Sequence, residues 1–313
     1  MLFLLRRPRR VAAVALVALT ALLTTVPATS AEEKPTGTAV VDGPVSGKLV
    51  PALRGKAASE AAGAYVSDRY RELATSRGER QSQTIQPWTD ALHNGWGVFP
   101  TVVSDGAQAT HSVNPQIHIS PTNPDIIYAP TLTPSGKTCI EVTTFYWQGG
   151  NGVGAWDWCA ANPGFAAVAW IDSSFLNTYT VPFHGLRAYT VRDVQTDPVT
   201  NSWTAYLYNY TTGAWDELFT SADPAKLTQT HGGWSMFEVY TYYNSGTGEG
   251  YYCTETYGSM WWTTDYQLKI GNSWQSVTPA NSNTSSGMSS TDLGCYSLSF
   301  SINTANSNWQ VTH

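Results

Sequence analysis

The sequence predicts an all-β protein, a two-sheet antiparallel β-sandwich preceded by a signal peptide and a short helical pro-segment. Three observations lead there. Only 13% of the 313 residues are charged while 13 are Trp and 17 are Tyr, against about 25% charged residues in an average soluble domain. From about residue 88 onward, short β-branched and aromatic runs alternate with turns containing Gly, Pro and Asn. The charge is also unevenly spread: 12 of the 17 basic residues fall in the first 80 positions, and all 13 Trp and all 4 Cys come after them. This composition excludes a coiled coil, which is rich in Ala, Glu, Lys, Leu and Arg. It excludes wholesale disorder too, because so many aromatic side chains demand burial.

The leader comes first. Arg6, Arg7, Arg9 and Arg10 precede an apolar run over 11–23, and small residues follow at Ala28, Thr29, Ser30 and Ala31. A positive start, a short apolar centre and a small-residue exit describe a secretory signal peptide over 1–31, cut near Ala31. The run is shorter than the ~20 residues of a spanning helix. A membrane anchor is the competing reading, and export without a remaining membrane contact is the expectation. Residues 32–86 are read as linker and pro-segment. Positions 32–56 carry little pattern. Over 58–77, Ala61, Ala62, Tyr65, Val66, Tyr70, Leu73 and Ala74 recur at helical spacing, with Ser59 as candidate cap. The pattern leaves open whether this helix belongs to a removable pro-segment or to the domain.

Residues 87–313 form the expected sandwich domain. Residues 81–313 hold five basic and 16 acidic residues, a formal charge of −11. That argues against a nucleic-acid partner, for which basic surface is required. Strands are expected over 117–119, 126–128, 140–147, 165–171, 186–194, 203–210, 234–243, 250–256, 261–270 and 295–302. In the 203–210 run, Trp203, Ala205 and Leu207 fall on one face and Thr204, Tyr206 and Tyr208 on the other. No internal repeat is evident. Many short strands, polar turns and almost no helix mean a sandwich or barrel.

Cys139, Cys159, Cys253 and Cys295 are an even number in an exported chain, so two disulfides are expected; of the three possible pairings, neighbour with neighbour is the one expected. No metal site is expected: there is no C-x-x-C, and His93, His111, His118, His184, His231 and His313 fall at no ligand spacing. No G-x-S-x-G elbow or phosphate-binding loop occurs either, and no cofactor is expected.

Carboxylates within strands remain. Asp197, Asp216, Glu217, Asp223, Glu249 and Asp292 lie in apparent turns, where solvation is expected. Glu141 and Glu238 instead interrupt aromatic β runs, where charge is disfavoured. Two such carboxylates facing one groove suit water activation coupled to proton donation. An exposed strand face is the alternative for each.

At these residues the chain resembles a known group. Gly232-Gly233-Trp234-Ser235-Met236-Phe237-Glu238 is similar to the Trp-containing strand that ends in the catalytic Glu of the eqolisin glutamic peptidases. Residues 202–213, ending in Thr211-Thr212-Gly213, are similar to the preceding eqolisin strand and turn. Thr138-Cys139-Ile140-Glu141 is similar to the strand bearing the first catalytic Glu of the neprosin family. The resemblance covers about residues 115–270 and implies a lectin-like sandwich and a metal-free, non-covalent, acid-acting endopeptidase with a protein or peptide substrate. It implies Glu238 as general base and Glu141 as the acid at the oxyanion. Eqolisins carry Gln at the position of Glu141. One extra residue separates Trp234 from Glu238, which is expected to move Glu238 to the other strand face relative to Trp234. Trp147, Trp156, Trp158, Trp203 and Trp234 are candidates to line the substrate groove, with core packing as the alternative for each. A monomer is expected.

Two other functions fit the same composition. A lectin-like carbohydrate-binding protein without catalysis would stack sugar rings on exposed aromatics, with Trp261-Trp262 and Tyr242-Tyr243 as candidates. A glycoside hydrolase would also use two carboxylates.

Overall fold

The computed structural model describes residues 43–62 and 92–313. The signal peptide over 1–31 and most of the helix expected over 58–77 lie outside the described residues. All described residues belong to one compact unit, Gly37–His313.

Two large sheets form the sandwich. One has eight strands in the order Ser282–Thr284, Leu92–Pro100, Trp234–Thr241, Ile126–Thr133, Ile140–Trp147, Gly150–Asp157, Gly164–Trp170 and Leu53–Arg54. The other has ten, its main path running from Val45–Leu49 through Ala214–Ala222, Ser202–Asn209, Leu186–Asp197, Gly106–Val113, Met260–Ile270 and Asn308–Thr312 to Ser299–Thr304. Pairing is antiparallel except at one edge, where Val45–Leu49 runs parallel to Ala214–Ala222.

Alternation along each strand sorts side chains into an inter-sheet core and two outer faces. Ile140, Val142, Tyr146, Phe237 and Val239 from the eight-stranded sheet meet Tyr189, Val191, Trp203, Leu207 and Trp261 from the other. A second apolar cluster covers the outer face of the eight-stranded sheet: Ile126, Tyr128, Phe145, Trp156, Phe165 and Tyr240. Glycine makes room for those rings. A Cβ at Gly152 would lie 2.4 Å from Phe145, and one at Gly154 would lie 2.3 Å from Phe165.

The segment read as linker is held at both sheets. After the edge strand Val45–Leu49, the Val50 N–H donates to the Glu217 carbonyl at 2.8 Å, and Val50 joins the inter-sheet core. Leu53–Arg54 then pairs with Gly164–Trp170 in the other sheet. A short helix, Lys56–Ala61, follows, and Ala58 and Ala62 bury against the outer aromatic cluster. Ser59 is not its cap. It sits inside the helix and donates its hydroxyl to the Phe165 carbonyl at 2.8 Å.

Several strand assignments change. Residues 117–119 are irregular, because Ile117 and Ile119 bury without a ladder partner while Asn151 Nδ2 donates to the Ile117 carbonyl at 2.8 Å. Residues 250–256 are mainly a helix, Tyr251–Glu255. Its start is fixed from a distance: the Asp125 carboxylate accepts the Tyr252 N–H at 2.7 Å. The strand expected from residue 295 begins at Ser299. A helix that the sequence reading missed, Ser173–Tyr179, is capped by Asp172, which accepts from the Phe175 N–H at 2.8 Å. Asp216 is buried rather than solvated, and it accepts from Ser46, Tyr179 and Asn209.

The disulfides join Cys139 to Cys159 and Cys253 to Cys295, the neighbour pairing expected. Among the described residues, no helix is long and apolar enough to cross a membrane.

Candidate active site

Both candidate glutamates are fully buried, each at 0% exposure. Both also lie on the outer face of the eight-stranded sheet. Glu141 alternates with Ile140 and Val142 of the inter-sheet core, and Glu238 alternates with Phe237 and Val239. The extra residue before Glu238 therefore does not put it opposite Trp234. In a strand that runs regularly, positions four apart share a face, so Trp234 and Glu238 point the same way. The irregularity lies in the neighbouring strand. Between Met236 and Glu238 the register moves from Thr131 to Tyr128, so one extra residue sits there, at Ala129-Pro130.

The two glutamates stand on strands separated by one other, Ile126–Thr133, which is a lateral backbone spacing of about 10 Å. They are also staggered. Glu238 is level with Tyr128 and Phe145, whereas Glu141 precedes Val142, which is level with Leu132 and Ser235. Tyr128, on the strand between, feels both. Burial first, then the charges of Glu238 and Glu141, push its phenol well above the ordinary tyrosine range. It stays neutral at any pH at which the fold works.

The carboxylates are held differently. Glu141 accepts from two indoles: Trp234 Nε1 donates to Oε1 at 2.9 Å, and Trp158 Nε1 donates to Oε2 at 3.2 Å. The Cys139–Cys159 bridge ties the two ends of this corner, since Trp158 precedes Cys159 and Glu141 follows Cys139 by two residues. Glu238 Oε1 meets His93 Nε2 at 2.5 Å and accepts from the Tyr240 hydroxyl at 3.1 Å. The His93 ring stacks on Tyr240 with centroids 4.0 Å apart and planes 13° from parallel.

The five candidate groove tryptophans separate. Trp234 and Trp158 are half-buried and bond Glu141. Trp156 is buried within the outer aromatic cluster, and Trp147 packs against that cluster. Trp203 is in a different place. It belongs to the ten-stranded sheet and the inter-sheet core, where its Nε1 donates to Asn201 Oδ1 at 2.9 Å. It has no access to the face that carries the glutamates, because its alternation follows the other sheet. Trp261 and Trp262, candidates for sugar stacking, are buried at 0% and 4% exposure.

His93 and Tyr240 were not among the candidates. His93 lies 145 positions from Glu238, so no spacing rule could join them. The alternation of Tyr240 with Glu238 was the one available signal. Among the described residues, two groups bring together residue types that bind metals: Cys253, Cys295 and His313, and Cys139, Asp157 and Cys159. Their sulfurs are engaged in disulfides and offer no thiolate.

Chemically, the described residues of this face offer two carboxyls, indole and phenol donors and an imidazole, beside the apolar rings of the outer cluster. No family model and no curated protein matches this chain. Among solved structures, it is similar to scytalido-glutamic peptidase with a peptide-based transition state analogue (TM-score 0.42, 12% identity, covering 72% of this chain and 98% of that one). It is equally similar to SCP-B, a member of the eqolisin family of peptidases in complex with the tripeptide Ala-Ile-His (TM-score 0.42, 12% identity, 72% and 98%). A further likeness, to the CBM2 module of the Lactobacillus casei BL23 phage J-1 evolved Dit, is lower (TM-score 0.28, 8% identity, 46% and 54%). The chain thus bears a weak structural resemblance to the family whose motifs its strands resemble, and likeness at this level establishes no common activity.

Proposed function

We propose that this protein is an exported, acid-acting endopeptidase that uses Glu141 and Glu238 to hydrolyse peptide bonds without a covalent intermediate. The observation that carries the reading is the burial of both carboxyls on one face of one sheet, each held by side-chain donors. Buried carboxyls are costly, and two that are oriented on one face by indole, phenol and imidazole groups suit proton transfer.

Glu238, ionised, removes a proton from a water as the water oxygen attacks the carbonyl carbon. Glu141, protonated, gives its proton to the carbonyl oxygen, so the tetrahedral intermediate is neutral. Glu238 then passes its proton to the amide nitrogen as the C–N bond breaks. Glu141 recovers its proton from the hydroxyl as the new carbonyl forms, and both groups return to their starting states. The water and the carbonyl oxygen lie on different sides of the reacting carbon, each about 2.7–3 Å from its own carboxyl. The staggered spacing of the two strands fits that division. Trp147, Trp158 and Trp170, which pack partly buried on the outer aromatic cluster, supply apolar surface for substrate side chains. Two disulfides fit an oxidising, extracellular setting.

The test is cleavage of casein at about pH 4, where one carboxyl of such a pair can be protonated and the other ionised. Glu141→Gln and Glu238→Gln are each expected to abolish it while leaving the fold intact. Full activity in both variants refutes the proposal. Binding of chitin or cellulose without hydrolysis of either protein or glycan would favour a carbohydrate-binding protein.

A further inference from the structure

An imidazole stands against the Cys253–Cys295 bridge. His313 Nε2 lies 3.7 Å from Cys253 Sγ and 3.6 Å from Cys295 Sγ. Three segments meet at this corner. Cys253 is in the helix Tyr251–Glu255, Cys295 follows the helical turn Ser290–Leu293, and His313 follows the strand Asn308–Thr312. The His313 backbone is pinned on both sides: its N–H donates to the Ser259 carbonyl at 2.9 Å, and its carbonyl accepts from the Gly258 N–H at 3.1 Å. The proposed hydrolysis uses none of these groups.

The ring is oriented as well as placed. The Thr256 hydroxyl has one proton and gives it to the Tyr252 carbonyl at 3.0 Å. Toward His313 Nδ1, 3.1 Å away, the same oxygen therefore accepts. The ring proton is then on Nδ1, and the Nε2 lone pair faces the two sulfurs. Metal-bound histidines are held in this way, with one ring nitrogen donating to an outer partner and the other free for the ion.

We propose that Cys253, Cys295 and His313 bind a thiophilic divalent cation of the zinc type when the two cysteines are reduced, so that ion and disulfide are alternative staples of the same three segments. A tetrahedral ion 2.0–2.3 Å from its ligands holds them about 3.5–3.8 Å from one another. Both nitrogen–sulfur distances already have that spacing. Once unbonded, the sulfurs part to match it by rotation about their Cα–Cβ bonds. Ser297, exposed beside both sulfurs, marks the side on which water supplies the fourth ligand.

The chemistry balances in both directions. As the ion binds, two thiols release their protons to solvent. A disulfide oxidant reverses this: it takes two electrons from the sulfurs and two protons from solvent, leaves as thiols, and the ion departs as the Cys253–Cys295 bond forms. Because cysteines are incorporated as thiols, the metal-binding form is available before the disulfide is made. The group Cys139, Asp157 and Cys159 offers no imidazole, and Asp157 Oδ1 already accepts from the Cys159 N–H and the Ser221 hydroxyl, each at 2.9 Å.

The test takes the full chain, unfolded in urea with a phosphine reductant and refolded without oxygen in the presence of Co2+, a spectroscopic substitute for Zn2+. The expected result is one cobalt per chain, with the intense d–d absorption and sulfur-to-cobalt charge transfer of a tetrahedral thiolate site. Cys253→Ser with Cys295→Ser is expected to abolish both. Thr256→Val, which deletes the acceptor of the Nδ1 proton without touching a ligand, is expected to weaken cobalt binding by about 10- to 100-fold, and His313→Ala by at least as much. Unchanged absorption in the double serine variant, or unchanged affinity in His313→Ala, overturns the assignment. So does a reduced chain that gains no such absorption, whether or not it folds. Zn2+ supplies a second readout. It is expected to raise the thermal midpoint of the reduced chain and to leave that of the oxidised chain where it was; equal shifts in the two forms overturn the proposal.

Discussion

The domain should be more stable in acid than at neutral pH, and Asp193 is the residue through which to test this. It lies on the Leu186–Asp197 strand, fully buried, with the Thr138 hydroxyl donating to Oδ2 at 3.0 Å. Its Oδ1 has no partner among the described residues. Burial pushes this carboxyl from 3.8 up to about 8, with the Thr138 bond opposing in part. Because the folded value is raised, the folded state holds a proton that the unfolded chain releases. Stability is therefore full below pH 3.8 and is lost as pH rises toward 8. Between pH 4 and 7.5 the loss is about 4 kcal/mol, at 1.36 kcal/mol per unit. Asp125, raised to about 7 mainly by burial, acts in the same sense. His111, lowered to about 3 by burial, acts in the opposite one and loses stability as pH falls below 6.5. Both are present in wild type and in Asp193→Asn, so the difference between the two proteins isolates Asp193. The assay is urea unfolding of each at pH 4 and pH 7.5. The variant should lose about 4 kcal/mol of the wild-type pH dependence. Superimposable dependences in the two proteins would refute the reasoning, because Asp193 would then be ionised in the fold at little cost.

Two further outcomes follow from the site. Trp234→Phe removes the indole donor to Glu141 while keeping an aromatic ring, and a hydrogen bond between neutral groups is worth about 0.5–1.5 kcal/mol. Casein cleavage at pH 4 should fall by about 2- to 10-fold, measured as kcat/KM. Replacing Cys139 and Cys159 together by Ser opens a bridge of sequence separation 20. The expected cost is about 3 kcal/mol of stability, read by thermal unfolding, with a larger loss of activity than Cys253→Ser with Cys295→Ser, because only the first pair borders Glu141.

The sequence by itself determined the class of fold and the residues worth testing. β-branched and aromatic alternation depends only on neighbouring positions, so runs such as 140–147 and 203–210 could be read directly, faces included. Glu141 and Glu238 were legible because a carboxylate is out of place in such a run. The cysteine pairing was legible as a choice among three. What a distant partner fixes was hidden. Tyr251–Glu255 is a helix because Asp125, more than 120 positions earlier, accepts the Tyr252 N–H in its first turn. Residues 43–56 look patternless because each short strand there borrows its ladder from a strand far along the chain. Trp203 and Trp234 have similar local surroundings, and only the stacking of the sheets sends one to the core and the other to a glutamate. The same holds for the site itself. Alternation gives each glutamate a face, but strand order decides that the two faces are one, and register brings His93 beside Glu238. These depend on hydrogen bonds between strands remote in sequence, which local residue pattern does not encode.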